Sequence, residues 1–236
     1  MDRDLGRRAL AEFLGTGFLV AGVVGSGIAA QRLSPHDVGL ELFENTAATA
    51  AVLVAIILAV GPVSGAHLNP VITLVDRVFG GVSTRTSAVY VGAQLAGGTV
   101  GAVTANTMFG VAAVSLSTHH RVTGPHLLAE AVATFGLVLV VFGVTRSGRT
   151  SVAPFAVGAY IAAAYWFTSS TSFANPAVTF ARMLSNTFAG IAPTSVPGFV
   201  GLELVGGAVG AACVAVLYPD VRARARQVVV RSEEAA

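Results

Sequence analysis

Two short apolar segments, at about 69–79 and 175–185, each open on an Asn-Pro pair, Asn69-Pro70-Val71 and Asn175-Pro176-Ala177, and each lies between much longer apolar runs. About ten residues of helix rise about 15 Å, half the depth of a ~30 Å hydrocarbon core. Such a segment cannot cross a bilayer. The irregular backbone leading into it survives at membrane depth only where it is buried in protein or lines a wet cavity. Proline at a first helical turn loses nothing, because its missing N–H would be unpaired there anyway, so each Asn-Pro predicts a helix start. Few folds accommodate two such half-spans.

The longer runs fall at roughly 9–30, 40–60, 87–109, 126–145, 151–171 and 198–218, which makes six spans. Of the 236 residues 54% are hydrophobic and 11% charged, whereas an ordinary soluble domain carries about 25% charged residues, so the chain requires lipid. The first run follows Arg3, Arg7 and Arg8, but it is too long for a signal h-region and lacks an A-x-A cleavage site. It is read as a retained first span.

Arginine is retained on the cytoplasmic side, and this sets the orientation. The N-terminus carries Arg3, Arg7 and Arg8, the first half-span segment Arg77 and Arg85, and the fourth-to-fifth connection Arg146 and Arg149. A tail at 219–236 carries Arg222, Arg224, Arg226 and Arg231, whereas only Arg32, Arg121 and Arg182 fall on the other face. Both termini are therefore expected in the cytoplasm. All 14 basic residues are arginine, which with the wealth of Ala, Gly and Val points to a GC-rich bacterial genome and an inner-membrane location.

The two halves of the chain repeat one another at three places. Ala11-Glu12-Phe13-Leu14-Gly15-Thr16 parallels Ala129-Glu130-Ala131-Val132-Ala133-Thr134, and Asn69-Pro70-Val71-Ile72-Thr73 parallels Asn175-Pro176-Ala177-Val178-Thr179. The stretch from Tyr90 to Ala102 parallels that from Phe199 to Ala211. Each repeat, about 9–110 and about 126–218, reads span, span, half-span, span within one domain covering 1–236. Three full spans is an odd number, so the second copy enters the membrane with opposite polarity. The half-spans then enter from opposite faces and meet near the middle.

Each half-helix presents the positive end of its dipole to that meeting point, and Asn69 and Asn175 are placed to cap the two ends and turn amide N–H groups inward. Two opposed positive ends repel cations and orient neutral hydrogen-bonding molecules. Glu12 and Glu130 lie mid-span, where a carboxylate is costly, and their symmetric placement predicts that each braces the re-entrant loop of its own repeat. His67 is expected to pack within the first loop, and Gln94 and Glu203 to brace likewise. Gly97-Gly98 and Gly206-Gly207, with Gly101 and Gly210, allow close helix contact. His119, His120 and Arg121 read as a solvated external loop, and Trp166 with Tyr165 and Phe167 as span packing. Cys213 reads as a small buried hydrophobe. With no nucleophile-base pair or metal-ligand cluster, neither catalysis nor a cofactor, metal or nucleic-acid partner is expected.

With Ser64-Gly65-Ala66-His67-Leu68-Asn69-Pro70 and Asn175-Pro176-Ala177 in place, the sequence resembles the major intrinsic protein family, the aquaporins and aquaglyceroporins, over nearly its whole length. The resemblance implies an all-α membrane bundle of six spans and two re-entrant half-helices, and a homotetramer in membrane lipid with one pore per subunit. It also implies a four-residue selectivity constriction, usually built on an arginine directly after the second motif. Here that position is Val178, and spacing from the two Asn residues assigns the others to Thr49, Ala163 and Ser172. Arg182, at i+4 from Val178, is a candidate for a displaced filter residue, but it stands about 6 Å nearer the outer interface, where it is expected to snorkel. Val71 replaces the usual Ala and is expected to narrow one side of the central zone. The Val-for-Arg pattern is similar to a bacterial branch associated with arsenic resistance, which implies arsenite, methylated arsenicals and small polyols as permeants. The alternatives left open are a water-selective channel, an ion-coupled secondary transporter, which also uses inverted repeats, and a non-conducting adhesion or packing protein.

Overall fold

The computed structural model describes residues 3–146 and 148–219, so the tail arginines Arg222, Arg224, Arg226 and Arg231 lie outside the described residues. The described chain folds into eight α-helices: α1 (Arg3–Leu33), α2 (Val38–Ser64), α3 (Pro70–Phe79), α4 (Thr84–Met108), α5 (Gly124–Arg146), α6 (Ala153–Phe167), α7 (Pro176–Arg182) and α8 (Val196–Leu217). Short 3₁₀ turns at Thr150–Val152 and Pro193–Ser195 extend α6 and α8 at their N-termini. Six helices are long and apolar enough to cross a membrane, and α3 and α7, with 10 and 7 residues, are the half-spans.

Local chemistry accounts for the ends. The Asp37 side chain accepts from the Leu40 N–H to start α2, and Ser83 caps the Thr86 N–H to start α4. Gly65 and Gly80 close α2 and α3 at φ 86° and 89°, a conformation that costs glycine no Cβ clash. The fifth span departs from the expected 151–171, since α6 stops at Phe167 and Thr168 turns extended. The reason lies downstream, where Thr171, Ser172 and Ala174 adopt positive φ to carry the chain back into the membrane.

Within the first half α1 packs on α4 and α2, and within the second α5 packs on α8 and α6. Contact between α2 and α6 joins the halves, while α3 lies against both α4 and α8, and α7 against both α8 and α4. Each half-helix is thus held by spans from both repeats. The α1–α4 and α5–α8 seams are tight because glycine brings backbone onto backbone. A Cβ at Gly97 would stand 2.1 Å from the Phe13 carbonyl oxygen, and one at Gly206 would stand 2.2 Å from that of Ala131. Leu10, Phe18, Val100, Trp166 and Val209 face outward, as lipid or a neighbouring apolar surface requires.

Gly207 explains one correction. The Val71 side chain fills the space above it, where a Cβ on residue 207 would come 2.3 Å from Val71 Cγ1. Val71 therefore packs against α8 and does not narrow the central zone.

Candidate functional site

The two re-entrant loops, 65–69 and 171–175, cannot continue a helical ladder. Ala66, Leu68, Thr171, Ser172 and Ala174 all hold φ between 48° and 66°, a region that disfavours residues with a Cβ. Such strain persists only where the surroundings over-determine it. Here two buried carboxylates do so. Glu12 Oε1 accepts from the Ser64 hydroxyl at 2.7 Å and the His67 N–H at 2.9 Å, and Oε2 accepts from the Leu68 N–H and Gln94 Nε2, both at 2.7 Å. In the second repeat Glu130 accepts from the N–H groups of Phe173 at 3.0 Å and Ala174 at 2.8 Å. With these loop N–H groups spent on carboxylates, the Leu68 and Ala174 carbonyls are left to other donors.

The Asn residues tie the loops to each other. Asn69 Oδ1 accepts from the Val71 N–H at 2.8 Å, and Asn175 Oδ1 from the N–H groups of Ala177 and Val178. Asn69 Nδ2 donates across to the Ala174 carbonyl and Asn175 Nδ2 to the Leu68 carbonyl, each at 2.8 Å. An amide nitrogen carries two hydrogens, so one on each Asn stays free for a molecule in the path. Pro70, Pro176 and Ala177 are buried at the helix starts, with the Ala177 carbonyl against Gly98.

Around these ends runs a cavity. The loops contribute Ala66, His67, Leu68 and Asn69 from the first and Ser172, Phe173, Ala174 and Asn175 from the second. The spans contribute aliphatic side chains, among them Leu19, Val23, Leu53, Ile57, Leu137, Val141, Val157 and Ile161. His67 is seated by Thr73, whose Oγ1 lies 3.1 Å from Nδ1, and by the Tyr90 ring at 5.2 Å. Among the described residues no group of three or more His, Cys, Asp or Glu could hold a metal ion.

Comparison with known proteins decides what this arrangement is. The family model described as "Major intrinsic protein" matches residues 2–172. The chain is 49% identical over 225 residues, 95% of each chain, to "Aquaglyceroporin AqpS" of Rhizobium meliloti (strain 1021). It is 33% identical over 184 residues to "Aquaporin NIP1-3" of Oryza sativa subsp. japonica, covering 73% of this chain and 62% of that one. The aquaglyceroporin of Plasmodium falciparum shares the fold, with a TM-score of 0.68 at 20% identity over 92% of this chain and 98% of the other. The chain belongs to the major intrinsic protein family.

This major intrinsic protein is thus a multi-pass membrane channel for small solutes and not an enzyme. Three of the four expected constriction residues, Thr49, Ser172 and Val178, line the cavity. Ala163 does not. It sits exposed on the outer face of α6, and Tyr165 takes the cavity side, with its hydroxyl donating to Thr49 Oγ1 at 3.3 Å. Two residues along a helix turn about 200°, so with Tyr165 packed inward Ala163 faces out.

Arg182 departs from expectation as well. It is 2% exposed and does not snorkel; it lines the cavity, with Nε donating to the Ala189 carbonyl and its guanidinium carbon 3.5 Å from the centre of the Phe173 ring. Arg121 is likewise no solvated loop residue. Its Nε and Nη2 donate to the carbonyls of Gly190 and Phe188, and its guanidinium stands 5.5 Å from the same Phe173 ring. Burial holds the Arg121 pKa below its usual value. Phe173, Tyr165 and Arg121 were missed as site residues because each reads as ordinary span or loop. The detectable signal was the aromatic placed two before Asn175. Trp166 and Phe167 turn outward, away from the cavity.

Proposed function

We propose that the channel passes arsenite, methylated arsenicals and glycerol-like polyols, together with some water. The observation that carries this is a largely aliphatic lining that also includes Asn69, Asn175 and Ser172, around an apolar Val178. A polyol presents hydroxyls on one side and carbon on the other, and a few amide and hydroxyl groups set among aliphatic side chains accommodate both without stranding a polar group. Undissociated arsenite is a neutral trihydroxy molecule with a similar hydrogen-bonding surface, and its methylated forms add apolar area. Ser172 Oγ is buried and has no protein partner among the described residues, which supports a role as a solute contact.

In this reading Asn69 and Asn175 supply the central donors and exclude charge with the opposed helix ends. Thr49, Tyr165, Ser172 and Val178 form the narrow zone, and Glu12, Glu130 and His67 brace the loops. Val178 in place of a long cation leaves both width and an apolar surface at that level. The similarity to a bacterial aquaglyceroporin over 95% of the chain supports polyol permeation. We further propose a homotetramer in the bacterial inner membrane with both termini cytoplasmic, residues 219–236 as the tail, and two repeats of about 9–110 and 126–218 in one domain. Family members are typically tetramers.

The test is flux through the purified full chain in liposomes, with arsenite, methylarsenicals, glycerol and water measured side by side. Uptake of the first three down their gradients, independent of proton or sodium gradients, is expected. Fast water flux with neither glycerol nor arsenite uptake overturns the proposal.

A further inference from the structure

The cavity is lined by neutral side chains apart from one, Arg182, whose placement has a physical cause in the chain. Residues four apart lie on the same helix face, and a helical side chain leans back over the turn N-terminal to its own Cα. Arg182 is four residues after Val178, so its long side chain lies back along α7 towards the level that the short Val178 leaves open. Two contacts hold it there: Nε on the Ala189 carbonyl, and the guanidinium plane against the ring of Phe173, itself part of the second loop. Arg121, held by the carbonyls of Phe188 and Gly190, fixes the same ring within reach of a second guanidinium. Phe173 is also tied through its N–H to Glu130, so the seat is as fixed as the loop.

Arg182 makes no ion pair among the described residues, and its terminal nitrogens find no hydrogen-bond acceptor there. A buried guanidinium with unspent terminal donors and no direct ion pair places a positive charge and hydrogen-bond donors at the cavity. We infer that Arg182, seated on Phe173 and pinned to Ala189, is a specificity-determining residue of this pore, supplying from one turn further along α7 the charge barrier and solute donors that Val178 cannot. It repels cations while its terminal N–H groups orient the hydroxyls of a neutral solute over the apolar Val178. The inference rests on the cavity being the solute path, and it sharpens the proposed substrate class to neutral molecules that can accept from a guanidinium.

The experiment uses the full chain in liposomes as wild type, Arg182→Leu, Arg182→Lys and Phe173→Leu, each checked for monodisperse assembly. The readouts are water flux by stopped-flow, methylammonium uptake, and proton leak from an entrapped pH dye. Arg182→Leu should raise methylammonium or proton permeability roughly tenfold relative to water, Arg182→Lys should restore most of the exclusion, and Phe173→Leu, which frees the guanidinium from its seat, should fall between. A merely structural role would lower yield and melting temperature without moving the cation-to-water ratio or being rescued by lysine. Wild-type cation exclusion in both Arg182→Leu and Phe173→Leu, with water flux intact, overturns the inference. These ratios are read on water and cations, so they can fail while glycerol and arsenite uptake by the wild type succeeds, and the reverse.

Discussion

Replacing Glu12 by Gln removes a charge and one acceptor from a site that holds four donors. In either orientation of the new amide, its NH₂ faces a backbone N–H, that of His67 or that of Leu68, because the two carboxylate oxygens serve one each. Stranding a buried N–H costs about 1–3 kcal/mol, the side-chain donor on the same oxygen must reorient, and the two bonds to the remaining oxygen each lose about 1 kcal/mol of charge assistance, for a total of about 3–5 kcal/mol. The load falls on a loop already holding Ala66 and Leu68 at positive φ, so the loop should leave its position before the spans part. The mirror substitution Glu130→Gln affects two backbone bonds, so the same count gives about 2–4 kcal/mol. The expected result is a loss of water and glycerol flux per channel that is larger for Glu12→Gln, with a lower midpoint of thermal aggregation in detergent in the same order. Glu12→Gln with wild-type flux and an unshifted midpoint would refute the bracing argument. The reverse ranking would refute the bond count.

Val178→Arg places a second guanidinium beside Arg182 and should suppress glycerol and arsenite flux much more than water flux in the liposome assay; equal loss of all three counts against Val178 as a constriction residue. Tyr165→Ala should widen the pore to larger polyols while Ala163→Phe, on the outer face, leaves the permeant series unchanged, and the opposite pattern in an uptake series of three- to six-carbon polyols would restore the spacing-based assignment. Gly97→Ala drives a Cβ to 2.1 Å from the Phe13 carbonyl and must part α1 from α4, so a stability loss of about 1–3 kcal/mol is expected in denaturant or thermal titration, whereas Gly92→Ala, with open space around it, should cost no such separation.

What could be read without coordinates was whatever depends on distance along the chain or on a repeated pattern. Span length, proline at a helix start and the paired Asn-Pro and Glu positions are local or symmetric signals, and they were enough for the six spans, the two half-helices, the inversion and the two braces. The direction in which a side chain points is of another kind. Ala163 and Tyr165 differ by two positions in one apolar helix, and only the packing of α6 against α2 and α5 decides which faces the cavity. Val71 turned away because Gly207 on another span left it room, and Arg182 turned inward because Phe173 and Ala189 gave its cation a seat. The rotation of a helix about its axis and the rotamer of a long side chain are set by contacts with residues distant in sequence. The chain alone therefore determined that a pore exists and where its halves meet, and the tertiary structure decided which side chains line it.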